Sequence, residues 1–504
     1  MIQGAAAVAA ILAAAALAGC LGEDDVRGSA REGGAAFVAL GGLPTARDPA
    51  LAADPATRAA LWLVYTPPLT YRRAEGEDGT ELIPGVARAL PKVSGDGRTY
   101  SFRVRRGLRY SNGRPVRARD VRHSLLRASA LGDIGRRLFA GISSIAADDR
   151  TGAVRVRLRR PDPAFPHALA AVQAGVVPAG TPMRDQSGRP PPGVGPYRII
   201  SSRAGRGLDL ARNRDLRLPG VPGGLIDVFR LSAGSGAAEQ VKAVMAGRLD
   251  VMTDRPPAAL LPELRSDFED RYREYPAMAT RYLAVRAAGE PFETAELRDA
   301  LAYAIDKPEA TRRLEGLARP TCSLLPPALP GYAEPDACPW GDPEEHPDLL
   351  RAQELVEEAA AEGTLVTVAA AREDRPIARL YVETLRQIGL RPALVDGGGA
   401  DVTLSMARSA LPDPASFLRP LARRVPLYVD PEPLLVADEL ASAEDQDEAA
   451  DLAERLDREL VDSAIVIPYG GVLRTLFLSA RIDADNCARV HPVYGIDLSS
   501  LCLR

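Results

Sequence analysis

Hydrophobic residues recur at every second position in two short stretches of the N-terminal third. Tyr100, Phe102 and Val104 alternate with polar residues behind a Gly95-Asp96-Gly97 turn, and Val154, Val156 and Leu158 alternate with arginines. A period of two predicts strands with one face buried and the other in water, so these arginines read as a solvated strand face. Elsewhere the spacing is helical. Tyr381, Leu385 and Ile388 stand at i, i+4 and i+7 ahead of Gly389, which is placed to end the helix, and the alanines and leucines of residues 299–305 favour a second one. Strands interleaved with helices predict an α/β or α+β architecture. Proline-rich connectors at residues 189–192 and 325–330 break the chain, and no internal repeat is found.

The longest apolar run has no such period. Residues 5–18 are almost unbroken, too short to span a bilayer comfortably as a helix and of the length of a signal-peptide core, and they lead into Leu17-Ala18-Gly19-Cys20. Small residues before a cysteine at that point resemble the lipobox of bacterial lipoproteins. The resemblance implies a signal peptide over residues 1–19, cleavage before Cys20, and a lipid-bearing Cys20 that anchors the chain to the cell membrane on its extracytoplasmic side, at the outer face or in the periplasm. Residues 1–4 carry no lysine or arginine, a departure that points to a start further upstream. Residues 20–34 are rich in Gly, Asp, Glu and Arg, as suits a flexible tether, and order is expected from Ala35.

A chain of 504 residues with 46% hydrophobic and 26% charged positions has room for two or three ordinary globular domains. Its formal net charge is only -4, with both signs intermixed, so no basic stripe is present to hold a nucleic acid. Apart from Cys20 the cysteines are Cys322, Cys338, Cys487 and Cys502, an even set in a chain expected to mature in an oxidising space. Pairing within each local segment is the simplest of the three connectivities. No C-x-x-C pair occurs and His123, His167, His346 and His491 are scattered, so no metal site is expected. The G-x-S-x-G, H-E-x-x-H and Walker patterns are missing as well, which argues against a secreted hydrolase and against a bound cofactor.

Several segments, in order, resemble the bacterial extracellular solute-binding proteins of family 5, which serve dipeptide, oligopeptide and nickel importers. The most specific runs from Ser94-Gly95-Asp96-Gly97 through Arg105-Arg106-Gly107-Leu108-Arg109-Tyr110-Ser111-Asn112-Gly113 to Asp120-Val121. Tyr65-Thr66-Pro67-Pro68-Leu69, Gly193-Val194-Gly195-Pro196-Tyr197, Gly247-Arg248-Leu249-Asp250, Gln387-Ile388-Gly389-Leu390 and Pro412-Asp413-Pro414-Ala415-Ser416-Phe417 are similar to further family landmarks.

This resemblance implies a two-lobed α/β fold of the class II periplasmic-binding type, with a hinge and an extra subdomain in lobe one. Lobe one would hold residues 35–275, completed by 468–504, and lobe two residues 276–467. The implied protein is a monomer that captures a peptide or peptide-like solute between its lobes and delivers it to the permease subunits of an ABC transporter. A lipoprotein of the same fold that senses peptides or supports envelope assembly is the alternative. Tyr65, Thr66 and Pro67 would edge the cleft from lobe one, facing Met406, Arg408, Ser409, Ala410 and Asp413 from lobe two. Three departures stand out. Arg117 replaces a helix-capping hydroxyl, Arg286 replaces a common asparagine, and Ala410 stands where peptide-binding relatives carry the aspartate that pairs with the ligand's ammonium. Asp413 followed by Pro414 also reads as a helix N-cap.

Overall fold

The computed structural model describes residues 32–203, 207–232, 235–289, 291–335, 337–443 and 446–504. Cys20, the expected signal peptide and most of the expected tether lie outside the described residues. Among those described, no helix is long and apolar enough to cross a membrane.

One eleven-stranded sheet runs through the molecule. Its path starts at Arg391–Val395 and passes Leu365–Ala369 and Val402–Arg408 before reaching two long strands, Tyr272–Val285 and Val466–Leu478. It continues through Val251–Met252, Ala35–Ala39, Val228–Leu231 and Gly207–Arg212 to Tyr197–Arg203, while Ala318–Arg319 joins Val466–Leu478 from the side. Each arm contains parallel pairs, which need crossover connections. The helix Ala237–Met245 links two strands that flank Ala35–Ala39 in parallel, and Arg375–Gln387 links Leu365–Ala369 to its parallel partner Arg391–Val395. Tyr381, Leu385 and Ile388, expected on one helix face, are all buried. Gly389, at φ +88°, ends that helix with its N–H on the Arg386 carbonyl, while Leu390 N–H reaches the Leu385 carbonyl. That pair of bonds satisfies the last carbonyls as a left-handed C-terminal residue allows.

A separate four-stranded antiparallel sheet holds Lys92–Val93, Thr99–Arg103, Ala153–Leu158 and Ile142–Asp148. Tyr100, Phe102, Val154, Val156 and Leu158 turn inward, and the arginines between the last three stay outside. The helix Ala118–Leu131 begins without a hydroxyl cap. Asp120 substitutes by accepting from the Arg117 N–H at 2.9 Å, and its other oxygen accepts from Ala179 N–H at 2.9 Å. Arg127 on this helix forks onto both oxygens of buried Asp48 at 2.9 and 2.7 Å, which fastens the small subdomain to the first arm. Disulfides join Cys322 to Cys338 and Cys487 to Cys502, the local pairing expected from the sequence. Asp483 comes close to the second bridge, but its two sulfurs are bonded to each other and offer no thiolate to a metal.

Candidate ligand-binding cleft

The two long strands are the only described elements that pair in both halves of the large sheet, and their ladder is interrupted where the halves meet. Residues Tyr272, Arg273, Glu274, Tyr275 and Pro276 pair with Phe477 back to Leu473, and Thr280 through Ala284 pair with Gly471 back to Val466. Residues 277–279 bulge out opposite Val472, which pairs instead with Ala318. An extra run of residues in one strand locally bends the ladder where the two halves meet.

A cavity of about 680 Å³ opens at the interruption. Thr45, Asp54, Thr253, Arg255 and Tyr494 line it from the first half, Leu314 and Leu317 from the second, and Tyr275, Arg281, Arg474 and Thr475 from the crossing strands. Burial works against the charge of Asp54, but hydrogen bonds from the Thr45 and Thr57 hydroxyls and the Thr57 N–H outweigh it and hold the carboxyl below its ordinary range. Two of the three lining arginines have acids of their own. Arg281 pairs with Asp374, and Arg255 with Glu315 at 2.6 Å.

Arg474 differs. No carboxylate among the described residues lies within ion-pair distance of it, and it meets the hydroxyl of Tyr275, its partner across the ladder. Arg58 lies close by and likewise lacks an ion pair, one of its nitrogens donating to the Ala53 carbonyl at 2.6 Å. Burial lowers the proton affinity of Arg58, and the positive field of Arg474 adds to that effect while Tyr494 and Asp54 oppose it. Two neighbouring guanidiniums with no direct ion pair to a described residue suit a carboxylate brought by a solute.

The residues named from sequence fall in three places. Tyr65 is fully buried, its hydroxyl donating to the carbonyls of Arg47 at 3.1 Å and Pro191 at 2.9 Å, so it packs in the core. Thr66 and Pro67 are buried beside it, with backbone bonds to Val194, Val176 and Val86. Met406 stands opposite Arg281 and Arg408 opposite Ala279, next to the bulge. Ser409 N–H donates to the Met278 carbonyl at 3.1 Å, and Ala410 is exposed with no carboxylate to offer. Asp413 caps the helix Pro414–Ala422 by accepting from Ser416 N–H at 2.8 Å. Its charge also acts on Tyr71, Asp162 and His167 of the N-terminal half, where the Tyr71 hydroxyl and His167 Nδ1 lie 3.2 Å apart. Burial lowers the proton affinity of His167 and Asp413 opposes that loss. Arg286, the remaining departure, is paired with Asp401.

Sequence reasoning missed Asp54, Arg58, Arg281 and Arg474. One signal existed: Arg474 is the single charged residue in the mostly apolar strand Val466–Leu478.

An α/β sheet crossed by two strands, with a cavity at the crossing and a small subdomain on one side, defines a two-lobed solute-binding protein. The chain belongs to the bacterial extracellular solute-binding proteins, family 5, whose middle-region description matches residues 81–419, more than half of it. That family binds solutes and is not enzymatic. The probable ABC transporter periplasmic-binding protein SapA of Escherichia coli K12 is 27% identical over 400 residues, covering 71% of this chain and 70% of SapA. The glutathione-binding protein GsiB of Escherichia coli O1:K1 is 27% identical over 294 residues, covering 57% of this chain and 55% of GsiB. The solved structure of clavulanic acid biosynthesis oligopeptide binding protein 2 superposes with a TM-score of 0.82 at 22% identity, covering 94% of this chain and 96% of that one.

Proposed function

We propose that this protein is the substrate-binding lipoprotein of an ABC importer, held to the membrane through Cys20, that closes two lobes on a peptide or peptide-like solute and hands it to the permease. The observation that carries the solute class is the cavity of about 680 Å³ at the strand crossing, with Arg474 unpaired in its wall. A peptide brings a carboxylate for that guanidinium, and the names of GsiB and of the clavulanic acid oligopeptide binding protein point to the same chemistry. In this reading lobe one is residues 35–275 with 468–504 and lobe two is residues 276–467. The interrupted ladder at residues 277–279 is the hinge, and Asp413 approaches Tyr71 and His167 across the cleft on the lobe-two side. Closure is driven only by contacts the solute makes in the closed state and lacks in the open one.

Mass spectrometry of solute released from the purified protein identifies the ligand, and calorimetry with that compound measures its binding. Release of a peptide-like acid that rebinds and compacts the protein in solution scattering supports the reading. A protein that binds neither its co-purified material nor any peptide-like acid overturns it. The lipid anchor has its own test: Cys20→Ala should move the protein from the membrane fraction to the soluble one, and unchanged partitioning excludes the anchor.

A further inference from the structure

A second cavity, which shares no lining residue with the first, lies between the small subdomain and the first arm. It has a volume of about 430 Å³, and five of its nine lining residues are arginines: Arg88, Arg103, Arg105, Arg106 and Arg217. Val104, Leu108, Thr151 and Pro219 complete it, so no acid lines it. Three separate segments supply these arginines. Arg88 N–H donates to the Arg103 carbonyl at 2.7 Å and Arg105 N–H to the Val86 carbonyl at 3.0 Å, which fixes two of these segments side by side. Arg217 comes from the turn after the strand Gly207–Arg212.

None of the five forms an ion pair with a described residue, whereas many arginines elsewhere on this surface do. Arg105 donates to the Gly85 and Pro84 carbonyls at 3.0 and 3.3 Å, and Arg217 to the Arg214 and Leu216 carbonyls at 2.7 and 2.9 Å. Arg88, Arg103 and Arg106 have no side-chain acceptor among the described residues. Burial lowers the proton affinity of Arg105. The one carboxylate bonded to a lining residue, Asp148 on the Thr151 hydroxyl at 2.6 Å, pairs with none of the five.

Like charges gathered around one concavity repel, water and salt screen the exposed ones, and a bound anion relieves what remains. A carboxylate monoanion would neutralise little of it. Guanidinium forks match the oxygens of phosphate groups, which also carry more charge. We propose that this cavity is a second binding site, separate from the solute cleft, for a multiply charged phosphate-type anion such as a diphosphate or a phosphate ester. The same chemistry is offered by a free phosphate compound and by an anionic lipid headgroup, and a lipid-anchored protein would meet both.

The test uses the full mature chain carrying Cys20→Ala, so that no lipid of its own confuses the result. Calorimetry with inorganic pyrophosphate should show saturable binding, with acetate at equal ionic strength giving none. The double variant R103Q/R106Q changes two exposed side chains, so its fold should persist, as checked by its melting temperature and by unchanged solute binding in the cleft. Its pyrophosphate affinity should fall at least tenfold. Sedimentation with phosphatidylglycerol vesicles against phosphatidylcholine vesicles then separates the sources. Retention on the anionic vesicles that the double variant loses assigns the headgroup, and pyrophosphate binding without vesicle retention assigns a free phosphate compound. Pyrophosphate binding no stronger than acetate binding, or equal affinity in the folded double variant, overturns the proposal.

Discussion

Arg73 and Asp497, 424 positions apart, meet in a buried ion pair at 2.7 Å. The same guanidinium lies 3.3 Å from the ring centroid of Trp62, so one side chain ties the C-terminal segment to the helix Pro55–Trp62. Burial lowers the proton affinity of Arg73 and Asp497 opposes that effect. Removing the acid would strand a cation where water does not reach. Asp497→Ala is therefore expected to cost about 3–5 kcal/mol of unfolding free energy, while the paired change R73M/D497L should cost much less. Urea unfolding of both variants checks this. Equal losses would show that the pair matters for packing and not for charge.

Lys307 is buried at the first position of the helix Lys307–Arg313, its ammonium nitrogen without a hydrogen-bond partner and 5.7 Å from the Trp340 ring. Burial lowers its pKa from 10.5 to about 8. The folded state thus releases its proton before the unfolded state does. Over that window the unfolded chain binds more protons, so this residue makes stability rise as pH increases from about 8 towards 10.5, and its full penalty applies below 8. Lys307→Met should stabilise the protein at pH 7 by about 1–3 kcal/mol, with the gain shrinking as pH passes through that window. Melting temperatures of the two proteins across pH measure the difference, and a gain independent of pH would sink the account.

Much of the scaffold was legible because it follows local periods. The alternation of Tyr100 and Phe102 specified a strand face, Tyr381 and Leu385 a helix face, and Gly389 a helix end, all of which depend on neighbours within a few residues. The landmark segments carried the fold family. The cleft was less legible because its wall is assembled from Asp54, Arg281 and Arg474, which have no common spacing and meet only through the sheet. Tyr65 shows the opposite case: an aromatic in a family landmark is in the core, since both acceptors of its hydroxyl come from distant loops. Arg103 and Arg105 read as a solvated strand face, and nothing local could reveal that Arg88 and Arg217 join them around one cavity.

Each disulfide closes a short loop, with sequence separations of 16 and 15 residues. By the loop-entropy relation such a bridge contributes roughly 3 kcal/mol. The variant C487S/C502S should lower the urea midpoint accordingly, and it should do so without reductant present. Insensitivity of the wild type to reductant, together with an unchanged midpoint in the variant, would remove the bridge from the list of stabilising features.

Arg474 should matter for binding and little for folding, because no protein acid depends on it. With the solute identified by co-purification, Arg474→Met is expected to weaken binding roughly ten- to a hundredfold, the range of a charge-assisted hydrogen bond of about 1.5–3 kcal/mol. The melting temperature of the unliganded variant should stay close to that of the parent. Calorimetry decides: unchanged affinity would move the carboxylate site away from the strand crossing.

The other end of a bound peptide leads to the converse expectation. Ala410 is exposed and carries no charge where peptide-binding relatives are expected to hold the ligand's ammonium. Neither nearby acid is an obvious replacement, since Asp54 has both oxygens engaged by Thr45 and Thr57, and Asp413 uses one oxygen to cap its own helix. Blocking the amine should then cost little. An N-acetylated form of the bound peptide is expected to bind within about tenfold of the free amine, or about 1.4 kcal/mol. One matched pair of ligands in a calorimeter tests this. A loss of about a hundredfold, or about 2.8 kcal/mol, would mean that a carboxylate does hold the ammonium. The second oxygen of Asp413, which accepts no hydrogen bond from the described residues, would be the first to substitute.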